Sequence, residues 1–579
     1  MINHIGGRNS PAHQHKFTPK SLFRNSIIKF ILIALFATLL ALGLSSCFLA
    51  GGNSYDTKTI ASPQDANLIN IKQYGAVGDG VTDDTEAIRQ AVKDNLNQHK
   101  TLFFPAGTYL ISDIIEWKLD NGIFYAFLTW QGEGIGKTII KLKDNTIGYN
   151  DPESPKPITR PGSSDFGGTG GGNQAMNNYI FDMTFDTGKG NPGAIGVDFT
   201  ASNAGAMENV EIISEDGQGF AGLELTREVG PCLIKNVTIK GFDVGILGGA
   251  ALIHVTLEDI HLENQNVVGI ENTNLVMSIR HLTSNNSVPA FKNIGDWKGP
   301  VVLIDSELRG GSSQVAAIKN LSNIVVRNVK TEGYKTAIQH NNKFVPGSYV
   351  EEFVSEKPLS LFESPPKTLN IPIEETPVFV DNDLKNWANV ETYGAKSDDD
   401  LDDSEGIQKA INSGKNTIYF PQGIYKIDRP ITVKGNVQRL IGFNSQLESQ
   451  LDSNIVMFRF NNDKYPVVFE RFNFFKDGIL ENAASQPVVI RHTIGPTFLT
   501  TSDSGTWFIE DVATSRFSLN QNQKIYARQL NLESPPPEPL LKNDGGLAWI
   551  LGYKTEYGNT VSATLNGCMT EILGGLFYP

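Results

Sequence analysis

Tyr74-Gly75-Ala76-Val77-Gly78-Asp79-Gly80, running on through Asp83-Asp84-Thr85-Glu86-Ala87-Ile88, returns later in the chain. The second copy reads Tyr393-Gly394-Ala395, then Asp402-Asp403-Ser404-Glu405-Gly406-Ile407, at a constant offset of 319 residues that holds through Val92 and Ile411. Each copy then reaches Phe-Pro-x-Gly-x-Tyr, at Phe104 to Tyr109 and at Phe420 to Tyr425, the offset now 316. Two such matches in the same order mean an internal duplication. The paired acids, Asp83 with Glu86 and Asp402 with Glu405, fit a capping box at the start of a short helix, where carboxylates also favour the dipole's positive end. Ile88, Ala91 and Val92 then line one helix face, and a short strand and a Pro-x-Gly turn follow. Because the acids recur in both copies beside very different neighbours, a structural role explains them better than catalysis.

Between the two openings the sequence keeps a beat. Small-then-apolar steps fall at Gly222-Leu223, Gly245-Ile246, Gly269-Ile270, Ala290-Phe291, Ala317-Ile318 and Ala337-Ile338, with 20 to 27 residues between successive apolar members. Alternating strands lie half a period away, among them Asn209-Val210-Glu211-Ile212, Asn236-Val237-Thr238-Ile239 and Asn328-Val329. Period-2 strands repeating at that interval are the signature of a β-solenoid, in which each coil buries apolar residues against its neighbours. A leucine-rich horseshoe would need a denser Leu framework. The helix of each opening is the expected cap over an otherwise exposed solenoid end.

The chain's 579 residues include 56 Gly and 40% hydrophobic residues, which excludes bulk disorder and suits a turn-rich β protein. A net charge of −14 argues against a nucleic-acid partner. Arg8, Lys16, Lys20, Arg24 and Lys29 precede the apolar run Phe30 to Leu44, and no acid occurs before Asp56. That is the layout of a secretory signal. Leu44-Ser45-Ser46-Cys47 resembles a bacterial lipobox, so residues 1–46 are expected to be removed and Cys47 lipidated. The protein would then be exported to the cell envelope and touch the membrane only through that lipid. An uncleaved membrane anchor is the alternative, since Phe30 to Ala50 carries no charge. The expected division is a tether at 47–68, a first β-helix at 69–343, a Pro-rich linker at 344–386 and a second β-helix at 387–579. Residues 147 to 176 form a Gly/Pro/Ser-rich insertion, the kind of long loop that often carries function. Cys232 and Cys568 allow one disulfide but no framework.

The duplicated opening resembles the N-terminal unit of pectate-lyase-like right-handed parallel β-helices. Two such units, joined by a linker containing Pro372-Ile373-Glu374-Glu375-Thr376-Pro377, resemble glycoside hydrolase family 55, the tandem β-helix exo-β-1,3-glucanases. The resemblance spans residues 69 to 579. It implies an all-β fold of two tandem right-handed parallel β-helices, each with a short N-terminal cap helix. It also implies an inverting hydrolase acting on a β-glucan or related polysaccharide, with its site between the two β-helices and no cofactor.

Inverting hydrolysis needs a protonated carboxyl for the leaving oxygen and a base that holds water. By the resemblance, Glu510 lines the site and Glu556 matches a further acidic position, just after Trp549-Ile550-Leu551-Gly552. The family's general acid falls on Asn543, an amide, so the donor must be a neighbouring carboxyl such as Asp544 or Glu533, with Glu533 preferred. The family's water-holding Gln falls on Asn203. Asn203, Asn543 and Trp549 are thus expected to bind substrate, and Glu510, Glu533, Asp544 and Glu556 to supply catalysis. Two weaker groups remain: His254, His261 and Glu263, expected on a solvated face, and Asp182 with Asp186, where Ca²⁺ competes with a solvated face. The tryptophans are expected to pack more often than to stack on sugars. A non-catalytic glycan-binding β-helix and a uronate-polymer lyase or epimerase stay open as other readings of the same chain.

Overall fold

A computed structural model of the protein describes residues 61–578, apart from 165–169, 229, 250–252, 296–298 and 502–503. The leader 1–46, Cys47 and Trp297 lie outside the described residues. The chain is all-β and coils as a parallel solenoid, with short α-helices at Thr85–Asn95 and Ser404–Ile411. Its strands fall into two groups that share no ladder. A 14-stranded and a 10-stranded sheet use residues 69 to 354, and a 12-stranded and a 3-stranded sheet use residues 387 to 577. Each group encloses its own apolar core. We call them the first and second stack.

The beat of the sequence is the register of the 10-stranded sheet. Leu223, Ile246, Ile270, Phe291, Ile318 and Ile338 are successive ladder partners, one per coil. All are fully buried in the first core. The first stack ends on two antiparallel pairings, Tyr349–Val354 on Ile324–Thr331 and Lys343–Val345 on Thr336–His340, which close its last parallel edges.

The duplicated opening is a lock between loop, helix and strand. Asp84 accepts from the Val77 and Gly78 amides at 2.7 and 3.0 Å, and Asp403 accepts from Lys396 N at 2.6 Å. Tyr109 Oη donates to the Pro105 carbonyl at 2.8 Å, and Tyr425 Oη repeats this with Pro421 at 2.7 Å. Gly107 is needed because a Cβ there would lie 2.5 Å from the Gly78 carbonyl oxygen. The reciprocal capping box does not form. Glu86 pairs with Arg89 and Glu405 with Lys409, one turn along their own helices, while the helix starts are held through the preceding loops.

The long strands of the main sheets turn corners at residues with positive φ. In the first stack the corners are Asp182, Asn209, Asn236, Asp259, His281, Asp305 and Asn328. In the second they include Arg471, His492, Asp511, Gln529, Gly552 and Gly574, while Arg439–Ser449 bends over Phe443 and Asn444. The Asn-Val steps singled out in the sequence are these corners, since Asn adopts the left-handed conformation at low cost. Cys232 is buried in the first core, Cys568 Sγ faces the Asn543 carbonyl, and both are free thiols.

Candidate active site

Before each corner, the side chain that an isolated strand would point at water points instead at the other stack. The residues one step before the corners make two columns. They run Glu208, Lys235, Glu258, Arg280 in the first stack and Glu470, Arg491, Glu510, Arg528 in the second. Charge alternates along each column and is complementary across. Arg491 meets Glu208 at 2.9 Å, Lys235 meets Glu510 at 2.6 Å and Arg528 meets Glu258 at 3.2 Å. Removing one partner of such a buried pair costs roughly 3–5 kcal/mol, because the other charge is stranded. Further along, the seam turns apolar, with Ile304, Leu551, Trp549 and Leu573 in one cluster. The linker straps one side: Ile371 is buried in that cluster, Glu375 bonds Arg528 at 3.2 Å, and Thr376 donates to Glu510 at 2.6 Å.

This seam decides where several expected site residues lie. Glu510 is wholly inside it, bound by Lys235 and Thr376. Burial would raise its pKa, but the Lys235 ammonium, with Arg491 and Arg528, outweighs that and holds it below the usual range. Trp549 has no exposed surface and carries the Arg280 and Arg528 guanidiniums 5.8 and 5.1 Å from its ring centroid, so no sugar reaches its face. Asn543 is a turn lock: its Nδ2 donates to the Met569 carbonyl at 2.9 Å and its Oδ1 accepts from Gly546 N at 2.9 Å. Asp544 accepts from Asn566 Nδ2 at 2.5 Å in the three-stranded sheet. It precedes the strand Leu547–Thr555, whereas Lys554 and Glu556 lie at that strand's far end.

The remaining three candidates converge. Lys554, its side chain 1% exposed, donates through Nζ to Asn203 Oδ1 at 3.2 Å and also bonds both Glu533 and Glu556. Asn531 Nδ2 donates to Asn203 Oδ1 at 3.1 Å and to Glu533 Oε1 at 2.8 Å. Glu533 and Glu556 keep 25% and 28% of their side chains exposed, so the cluster opens to solvent at the rim of the seam. The Tyr578 ring lies over the rim, its centroid 5.9 Å from Lys554 Nζ. Burial, together with Glu556 and Glu228, raises the Tyr578 hydroxyl's pKa. The Gly/Pro/Ser insertion forms the neighbouring wall. Ser202 N donates to the Ala175 carbonyl at 3.0 Å, and Gly172 N to the Glu228 carbonyl at 3.2 Å. Sequence reasoning missed Lys554, Asn531 and Tyr578. An alternating strand marks Lys554 as one more solvated lysine, and only the register of Asn531 with Lys554 shows that they share a face.

Neither weaker group forms a metal site, and no cluster of three or more His, Cys, Asp or Glu able to hold a metal ion occurs among the described residues. The solvated-face expectation fails for His254, which is fully buried in the seam with Nε2 3.0 Å from Ser278 Oγ. Asp182 and Asp186 are buried too. Gln131 and Asn209 donate to Asp182 at 2.8 and 3.0 Å, and Lys141 pairs with Asp186 at 2.9 Å. Trp117, Trp130, Trp387 and Trp507 are buried packing residues.

A family model described as rhamnogalacturonase A/epimerase, pectate lyase-like, matches residues 68–302 and 387–459, more than half of the chain. The chain belongs to this family. Both matched segments of the pectate-lyase-like model begin beside a copy of the duplicated opening. A mannuronan C5-epimerase of Azotobacter vinelandii is 30% identical over 178 residues, covering 28% of this chain and 11% of the epimerase. A probable glucan endo-1,3-beta-glucosidase of Arthroderma benhamiae is 22% identical over 274 residues, covering 44% of this chain and 30% of the glucosidase. The chain therefore spans less than a third of the length of either relative. The solved structure of sacteLam55A from Streptomyces sp. SirexAA-E aligns at a TM-score of 0.40 and 10% identity, over 87% of this chain and 82% of that one.

Proposed function

We propose that the protein is a glycoside hydrolase acting on a neutral polysaccharide such as a β-glucan, exported to the cell envelope and held there by lipid on Cys47. The observation that carries the reading is the convergence, at the open rim of the seam, of Asn203 from one stack with Glu533, Lys554 and Glu556 from the other. Two carboxylates on one ammonium have nearest oxygens within ~6 Å of each other. That close pairing accommodates the ~5–5.5 Å spacing of a retaining pair. We infer a retaining mechanism from this pairing, and the product anomer decides it. Glu533 receives two donors, Asn531 and Lys554, which suits the anionic nucleophile. Glu556, the more exposed of the pair, takes the acid–base role, a role that requires it to exchange its bond to Lys554 for a proton. Even with Glu556 protonated, Glu533 and nearby Glu228 outnumber Lys554, so a uronate chain would be repelled at this rim. That favours a neutral glycan over the substrates of a lyase or epimerase. The glucosidase relative supports the same class.

The test is reducing-sugar release from a panel of β-glucans and pectins, with the product anomer followed by proton NMR. Glu533→Gln and Glu556→Gln should each lower kcat at least a hundredfold, while Asp544→Asn leaves it near wild type. Retained anomeric configuration supports the pair, and inversion would remove Glu533 as nucleophile. Glycan binding without turnover would instead favour a non-catalytic binding module.

A further inference from the structure

A second concavity lies along the second stack's opening coils. Its walls are the turns that lead into the strands Trp387–Asn389, Thr417–Tyr419, Arg439–Ser449 and Val467–Asn482, successive neighbours in the 12-stranded sheet. Four strands at ~4.8 Å spacing make it about 14 Å long. Its volume, about 600 Å³, falls in the range of ligand sites.

The lining is chemically one-sided. Lys415, Asn416, Asn436, Gln438, Lys464 and Tyr465 contribute, and no carboxylate does so among the described residues, although the chain's net charge is −14. Asp381 stands behind the wall and holds Asn416 Nδ2 at 2.5 Å. Asn416 Oδ1 is buried behind the same wall with no hydrogen-bond partner. Lys464 Nζ sits 4.7 Å from the Tyr465 ring centroid and reaches Asn436 Oδ1 only at 3.4 Å, so its ammonium is weakly engaged. Lys415 Nζ is held by the Lys385 carbonyl at 2.5 Å, an acceptor that leaves its charge unneutralised.

We propose that this groove is a second saccharide site, taking sugar units that carry an anionic group, either uronate or sulfate. Amide side chains suit sugar hydroxyls, a half-buried tyrosine suits a ring face, and two unneutralised ammoniums suit the anion. The rim at Lys554 has the opposite charge balance, so the two sites sort their ligands: neutral units at the rim, charged units in the groove. A cell-wall polymer or composite with both kinds of stretch would be held by one while presented to the other. This inference does not depend on hydrolysis at the rim.

The experiment is affinity electrophoresis of the full-length protein, solubilised in mild detergent, through gels containing polygalacturonate, a sulfated galactan or a neutral β-glucan. Wild type should be retarded by at least one anionic polymer. Lys415→Met/Lys464→Met should weaken that retardation at least tenfold, and Tyr465→Ala several-fold, with unfolding temperatures unchanged. Glu533→Gln should leave it intact. Whichever anionic gel responds identifies the group. Absence of retardation by both anionic polymers, equal retardation of the double variant, or full competition by millimolar inorganic sulfate would overturn the proposal.

Discussion

The corners of the two stacks share a backbone conformation and differ in what they do with it. In the first stack the corner side chains bond one another along the solenoid axis. Asn236 donates to Asn209 at 2.7 Å, Asn209 to Asp182 at 3.0 Å and Asn328 to Asp305 at 2.7 Å. Most of that column is half-exposed. In the second stack the four corner side chains that precede the glycine corners are buried and each reaches across the seam. Arg471 donates to Gln131 at 2.9 Å, His492 Nε2 lies 2.9 Å from Glu208, Asp511 accepts from Gly205 N at 3.0 Å, and Gln529 accepts from Thr256 at 2.8 Å. Identical positive-φ geometry thus serves a self-contained polar ladder in one stack and a docking surface in the other. Side-chain chemistry, not backbone shape, makes the distinction.

The sharpest way to break that comparison is Gly552→Ala. Gly552 has φ +80°, and a Cβ there would lie 1.9 Å from Thr256 Oγ1. Strain and overpacking together should cost about 3 kcal/mol or more, read as a lower urea midpoint.

Asp182 begins the first column yet lies nearly buried, and its effect should be intermediate and dependent on pH. Burial, only partly offset by Gln131 and Asn209, pushes its pKa up to about 6. The folded value lies above the unfolded ~3.9, so the folded state binds the proton more tightly. The stabilisation is complete below about pH 4 and is lost as pH rises through about 6. Asp182→Asn removes this dependence. The stability difference between variant and wild type should move about 2 kcal/mol in the variant's favour from pH 4 to pH 7. An unchanged difference in urea midpoints across that range would show that Asp182 does not titrate this way.

Asn328→Ala should have the smallest effect. It loses two exposed hydrogen bonds, to Asp305 and from Tyr349, and places Ala at positive φ, costing about 1.5 kcal/mol. A loss as large as that of Gly552→Ala would mean that the two columns are not different in kind.

The coil itself was legible because burial inside one stack leaves a local mark. The residues Leu223 to Ile338 keep their beat since each must fill the same place in the core. The duplicated opening was legible for the same reason, although its acids hold loops rather than forming a capping box. Burial between stacks leaves no such mark. His254 and Glu510 alternate as solvent-facing residues do, and only the other stack, hundreds of residues away, covers them. Matching by order along the chain led to Asn543 and Trp549, which packing claims. It also led to Asn203, Glu533 and Glu556, which meet only because Lys554, an unremarked lysine, draws them together.

The seam joins the stacks coil for coil in the same order: Thr129 with Asn444, Phe181 with Arg471, Glu208 with Arg491, Lys235 with Glu510, Glu258 with Arg528 and Arg280 with Trp549. Solenoids ordinarily lengthen by gaining a repeat anywhere along the axis. Here an added repeat in one half would slip every later pairing by one step and set like charges against each other. The two halves can therefore change length only together, or beyond their last shared contact, and the zipper acts as a ruler on the evolution and redesign of the chain.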